Sequence, residues 1–271
     1  MEYTITAIPQ FNLAVSVDTF DDSIFENPGA WEALAVAHEY VEALWFAGAV
    51  QKIFAVYYDT TSNPGTDRNI YYPPLFSQFA AEARMRRDRN IQAQNNHSYN
   101  CEVEANTAVT FEAGSAYFTE IPGIGRSDQI QSSRCDVCAW EVGYIWRDRS
   151  FALPLYRMYR FVSLYKQLLS LLPYRFCVPM QGFLVRFAHE SDSWMGLNSG
   201  RMMATVEYTI PLPFTTFGGQ AFQELEQILE VQLGGRAHWG KNTLNNFVNS
   251  VHKFTRFEDF KNLKARMDPH L

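Results

Sequence analysis

The sequence predicts an α+β protein built on one large, mainly antiparallel sheet covered by helices. Three observations carry this. Apolar residues recur at helical spacing over long stretches such as Tyr156 to Leu172, and alternating runs such as Gly182 to Phe187 and Met202 to Ile210 read as strands. No strand is followed by a Gly-x-Gly-x-x-Gly turn or a Walker pattern, which would have pointed to a doubly wound nucleotide-binding domain. At 271 residues and 47% apolar, the chain can bury one substantial core.

The elements follow in order. Tyr3 to Val17 has the mixed alternation of a partly buried strand. After Pro28-Gly29, the segment Trp31 to Trp45 places Leu34, Val36, Ala37, Tyr40, Val41 and Leu44 at helical spacing and is expected to be a helix. Lys52 to Tyr58 returns to strand character, and Leu75 to Arg86 reads as a helix after Pro73-Pro74. Asp88 to Asn100 has no apolar periodicity and reads as a mobile loop. Strand-like pieces at Ala108 to Phe111 and Cys135 to Ile145 flank a Gly/Ser-rich excursion, Gly114 to Ser133. Tyr156 to Leu172 carries a broad apolar stripe and stops at Pro173, while Gln220 to Glu230 is a helix that stops at Gly234-Gly235. Short helices near Thr243 to Asn249 and Phe257 to Met267 complete a single unit spanning 1–271.

Charge and cysteine usage narrow the function classes. The formal charge is −6, and the one dense basic run, Arg84 to Arg89, reads as a solvated helix end, so nucleic acid is not expected as a partner. Cys135-Asp136-Val137-Cys138 lacks a second close pair to complete a zinc site, so Cys101, Cys135, Cys138 and Cys177 are expected to be buried thiols and no metal is expected. The first residues lack a basic and an apolar leader region, and no stretch approaches 18 apolar residues. The expectation is therefore a cytoplasmic protein, with peripheral membrane attachment left open.

Candidate chemistry concentrates in three places. Gly234-Gly235-Arg236-Ala237-His238-Trp239-Gly240-Lys241 combines two permissive glycines with His238, a donor or acceptor at neutral pH, and Lys241, a cation able to face a developing anion. The competing reading is a helix cap followed by a surface turn. Arg186 lies on one face of the otherwise apolar Phe183-Leu184-Val185-Arg186-Phe187; its guanidinium either clamps an oxygen in a pocket or reaches solvent at an edge. Glu207 shares its strand face with Met203 and Thr205, where it can orient Arg186, act as a base, or meet solvent. Asp136 and Glu141 fall on opposite faces of their strand, and no Gly-x-Ser-x-Gly elbow supports a serine hydrolase.

These segments resemble a known family. Pro9-Gln10-Phe11-Asn12-Leu13, Leu44-Trp45-Phe46, Tyr57-Tyr58-Asp59-Thr60-Thr61-Ser62-Asn63, Val185-Arg186-Phe187, Asp192-Ser193-Trp194, Gly200-Arg201, Gly235 to Lys241 and Asp268-Pro269 occur in the order seen in one group of flavoproteins. The chain is similar to the C-terminal substrate, or cap, region of the aldonolactone oxidase and alditol oxidase branch of the vanillyl-alcohol-oxidase family. The resemblance implies hydride transfer from a hydroxyl-bearing carbon of a lactone, polyol or other alcohol to FAD held by a separate domain or chain, since no FAD-binding domain is read here. It also implies that His238 and Lys241 approach the flavin, that Lys241 stabilises the reduced cofactor, and that Arg186 contacts substrate. The family's usual Glu-x-Arg is Leu184-Val185-Arg186 in this chain, so the arginine lacks its same-face carboxylate unless Glu207 supplies one across the sheet. Two other readings stay open: a flavin-independent cyclase or isomerase of secondary metabolism, and a noncatalytic binding protein or truncated remnant.

Overall fold

The computed structural model describes residues 8–66, 100–118, 123–130, 145–172, 177–179, 181–212, 216–248 and 250–269. Along the chain the strands and helices are β1 (Asn12–Asp21), α1 (Ala30–Ala35), β2 (Tyr40–Phe46), β3 (Lys52–Thr61), α2 (Asn100–Phe118), β4 (Gly123–Arg126), α3 (Ser127–Ile130) and β5 (Ile145–Pro154). They continue as α4 (Met158–Leu171), β6 (Phe183–Ala188), β7 (Met203–Leu212), α5 (Thr216–Gln227), β8 (Arg236–Ala237), α6 (Leu244–Val248) and α7 (Phe257–Met267). The strands form one eight-stranded sheet in the order β4-β1-β3-β2-β6-β7-β5-β8, and every pairing among them is antiparallel. The expected α+β class is what the chain adopts.

Alternation assigns the two sheet faces. Val41, Ala43 and Trp45 of β2, Phe183 and Val185 of β6, and Ala204, Val206 and Tyr208 of β7 point to one side, where α4 and α5 bring Phe161, Tyr165, Phe222 and Leu225 to close the main core. Trp45 organises this core. Its ring stacks on Phe183 at 5.2 Å and meets Phe161 and Tyr165 edge-on, and its indole N–H donates to buried Asp22 at 2.9 Å. Lys166 of α4 then pairs with Asp22 at 2.6 Å, so the buried carboxylate is satisfied from both sides.

The opposite face is covered only in part among the described residues. Phe118 of α2 packs on Leu13, Val15 and Val17 of β1 and on Val56 and Tyr58 of β3, and Ala108 packs on Phe46 and Phe54. This cover lies over β1 and β3, and the same face of β6 and β7 presents half-buried Leu184 and Glu207 and exposed Arg186.

Three sequence expectations are corrected. The helix over Trp31 to Trp45 shrinks to α1, and from Tyr40 the burial alternates with period two. Pairing with β3 on one side and β6 on the other overrides a spacing that fits both periods. Ala108 to Phe111 is not a strand but the middle of the 19-residue α2, whose inner side includes Glu104, Thr107 and Thr110 as well as Val103 and Ala108. Polar residues on the buried stripe erase the apolar periodicity that would have announced a helix. Finally, Cys101 and Cys177 are not thiols but a disulfide joining the start of α2 to the segment before β6. The helix expected over Leu75 to Arg86, most of the loop Asp88 to Asn100, and Cys135, Asp136, Cys138 and Glu141 lie outside the described residues.

Candidate active site

Strand register brings the candidate residues together. On the partly open face, Glu42 of β2 lies directly opposite Arg186 of β6, and Leu184 of β6 lies opposite Glu207 of β7. The turn after β8 carries Lys241 to the same place. The result is a ladder of alternating charge. Arg186 donates from Nε to Glu42 at 2.8 Å, its other arm stands 3.5 Å from Glu207 Oε1, and Lys241 Nζ donates to Glu207 Oε2 at 2.6 Å. Tyr58 of β3 extends it, its phenol close enough to feel the Glu42 carboxylate. Burial, with the neighbouring Glu42 carboxylate second, pushes that phenol well above its ordinary range, so Tyr58 stays a donor at neutral pH.

The ladder borders a cavity of about 270 Å³ lined by Leu44, Gln181, Leu184, Glu207, Thr209 and Lys241, among others. Gly182 is required at its wall. Its φ is +73°, and a Cβ there would lie 2.7 Å from the Trp45 carbonyl oxygen. Gln181 and Thr209 are bonded to each other at 2.8 Å, and the charged residues of the lining are Glu207, Lys241, Asp148 and Arg149, the last paired with Glu226 at 2.7 Å.

Loop 238–243 is pinned to β5 by backbone and amide contacts. His238 N–H donates to the Ser150 carbonyl at 2.9 Å, and Asn242 brackets the same residue, donating to its carbonyl at 2.6 Å and accepting from its N–H at 3.1 Å. This fixes the stem of Lys241 above Glu207. The His238 ring turns back into its own loop, where Nδ1 accepts from the Gly240 N–H at 3.1 Å, and it does not line the cavity. Arg236 of the same motif is buried and donates to the carbonyls of Leu197 and Ser199 at 3.0 and 2.8 Å, so it anchors the motif.

Of the residues singled out from sequence, Arg186, Glu207 and Lys241 thus converge and His238 stands apart. Glu42, Tyr58 and Asn242 were missed. Glu42 was hidden because β2 was read as a helix, whereas Asn242 directly follows the motif and was within reach. With Leu184 apolar, Glu42 contributes the close carboxylate on Arg186, with Glu207 the more distant one.

A helix-backed antiparallel sheet with a charged, cavity-bearing opposite face is a cap-domain-like architecture. A family model described as D-arabinono-1,4-lactone oxidase matches residues 3–271. The chain belongs to this family and corresponds to its C-terminal cap region. L-gulonolactone oxidase 3 of Arabidopsis thaliana is 28% identical over 170 residues, covering 56% of this chain and 29% of the relative. Probable L-gulonolactone oxidase 6 of the same plant is 20% identical over 298 residues, covering 99% of this chain and 48% of the relative. The chain therefore spans about half the length of these relatives, or less. Among solved structures, a cholesterol oxidase from B. sterolicum shares the fold with a TM-score of 0.63 at 11% identity, over 97% of this chain and 58% of that chain.

Proposed function

We propose that this chain is a single cap unit forming the substrate side of an FAD-linked oxidoreductase that oxidises a hydroxyl-bearing carbon of a lactone, polyol or other alcohol. The observation that carries this is the Glu207–Lys241 pair lining a cavity on the partly open sheet face, with Arg186 3.5 Å from Glu207 at its border. The carboxylate of Glu207 accepts the hydroxyl proton of a bound alcohol, Arg186 orients its oxygen, and Lys241 holds Glu207 in place. Lys241 is also the residue that suits an electron-rich cofactor edge, whereas the His238 ring is committed to Gly240. The cavity of about 270 Å³ is too small for a dinucleotide, so Lys241 would front a flavin that a partner domain holds. When bound, that group supplies the two-electron acceptor for the hydride leaving carbon.

Among the described residues no helix is long and apolar enough to cross a membrane. The Cys101–Cys177 disulfide favours maturation in an oxidising compartment over the cytoplasmic expectation.

Reconstitution tests the reading. The chain is mixed with a flavin-loaded FAD domain from a family member, and both complex formation and alcohol-dependent oxygen uptake are followed. Association with restored oxidation is expected. Neither association nor oxidation, or turnover by the colourless chain alone, overturns it in favour of a flavin-independent or noncatalytic role.

A further inference from the structure

We infer that Leu184, with Leu44, makes this site selective for a neutral alcohol carrying an apolar ring or chain over a polyhydroxylated lactone or its ring-opened acid. The inference rests on reading the partly open face as the substrate site and names the substrate class for it.

Leu44 and Leu184 are directly opposite each other in the β2–β6 pairing, both half-buried, and both line the cavity. Directly opposed side chains on one sheet face are in contact, so the two leucines form a continuous apolar step on the cavity wall. The ladder runs past that step, with Glu42 and Arg186 two residues beyond Leu44 and Leu184 along their strands and Glu207 across from Leu184. A bound molecule therefore meets a charged edge at one side and two leucines at the other.

The polar groups define the rest of the preference. Arg186 is engaged by Glu42 and Glu207, Lys241 by Glu207, and Gln181 by Thr209. The two carboxylates and two cations of the ladder cancel and Asp148 of the lining adds a negative charge, so the free carboxylate of a sugar acid would be repelled by Asp148 and would have to displace Glu42 or Glu207 from its cation. Each hydroxyl of a polyol laid against Leu44 and Leu184 would give up water without gaining a partner, which costs free energy. One hydroxyl at Glu207 with an apolar body on the leucines satisfies both edges. At about 270 Å³ the cavity falls just below the usual range of ligand pockets, about 300–1,000 Å³, and suits a single ring with a short substituent.

Titration calorimetry on the full chain compares three probes: trans-4-butylcyclohexanol, gulono-1,4-lactone and gulonate. The alcohol is expected to bind about tenfold or more tightly than either sugar compound, the scale at which a hydrophobic pocket discriminates one or a few methylenes. L184Q and L44Q should each narrow that gap. Leu44 also packs against the two apolar clusters under α2, so L184Q is the variant expected to keep the wild-type melting temperature, and the preference of the wild type decides the question without either. Lactone or gulonate binding as tightly as the alcohol overturns the inference and leaves the substrate reading of the face intact. No binding of any probe removes the substrate reading and the inference with it.

Discussion

Glu104 on α2 is a buried carboxylate held by two backbone donors, the N–H groups of Gly48 and Ala49 at 3.0 and 2.6 Å in the turn between β2 and β3. Burial raises its pKa to about 7, the two N–H bonds opposing that rise. The folded value lies above the unfolded one of about 4.5, so the folded chain binds more protons between them. Its contribution to stability is fully present below about pH 4.5 and is lost as pH rises through about 7, a change on the order of 3 kcal/mol. Chemical denaturation between pH 4.5 and 7.5 should therefore show stability falling in this window, and E104Q should flatten the fall. An identical slope in wild type and E104Q would contradict the assignment. Glu104 was not legible in the sequence, because a carboxylate in a Thr- and Ala-rich run reads as solvated; Arg186 was, because a guanidinium in an apolar strand has few places to go. Lys241 and Glu207 are both part-buried, and the pair should contribute little to the fold. K241M is expected to change unfolding free energy by no more than about 1 kcal/mol, measured by denaturant titration.

At the scale of elements, β7 announced itself because one face is apolar and the other carries Thr205, Glu207 and Thr209, and β6 because a short apolar run holds a single arginine. β2 did not, since its partner β6 is supplied by distant sequence and Leu34 to Leu44 fits a helix equally well. That one error concealed Glu42 and the neighbour Arg186 was expected to lack. Loop 238–243 depends on the Asn242 bracket around Ser150. N242A should cost about 1–3 kcal/mol and raise amide exchange in 238–243, with little change in α4; unchanged exchange there would show that the bracket does not hold the loop. Helix α2 is tied by the disulfide, which closes a loop with a sequence separation of 76. Replacing Cys101 with Ser is expected to lower stability by about 2–5 kcal/mol in a melting experiment, and no loss would mean that α2 is held by packing alone.

For the whole molecule, the sheet order matters more than any single strand. Placing β2, β6 and β7 side by side in the interior of the sheet puts Glu42 directly across from Arg186 and Glu207 diagonal to it on the same face, with α4 and α5 behind them and α2 covering the other face over β1 and β3. The class of fold could be read from alternating helices and strands, but this order could not, because it depends on long-range pairing between β2 and β6 that no local pattern encodes. The motif ending in Lys241 drew attention as a unit, yet the fold divides it: Arg236 anchors, His238 closes a turn, and Lys241 reaches the cavity. The most direct test compares turnover of the reconstituted pair in wild type, E207Q, K241M and H238A, with complex formation measured alongside. E207Q and K241M are predicted to bind the FAD domain normally and to lose about 100-fold or more in rate, while H238A stays close to wild type. Rates for E207Q and K241M near wild type, or a loss confined to H238A, would contradict the ladder as the seat of the chemistry.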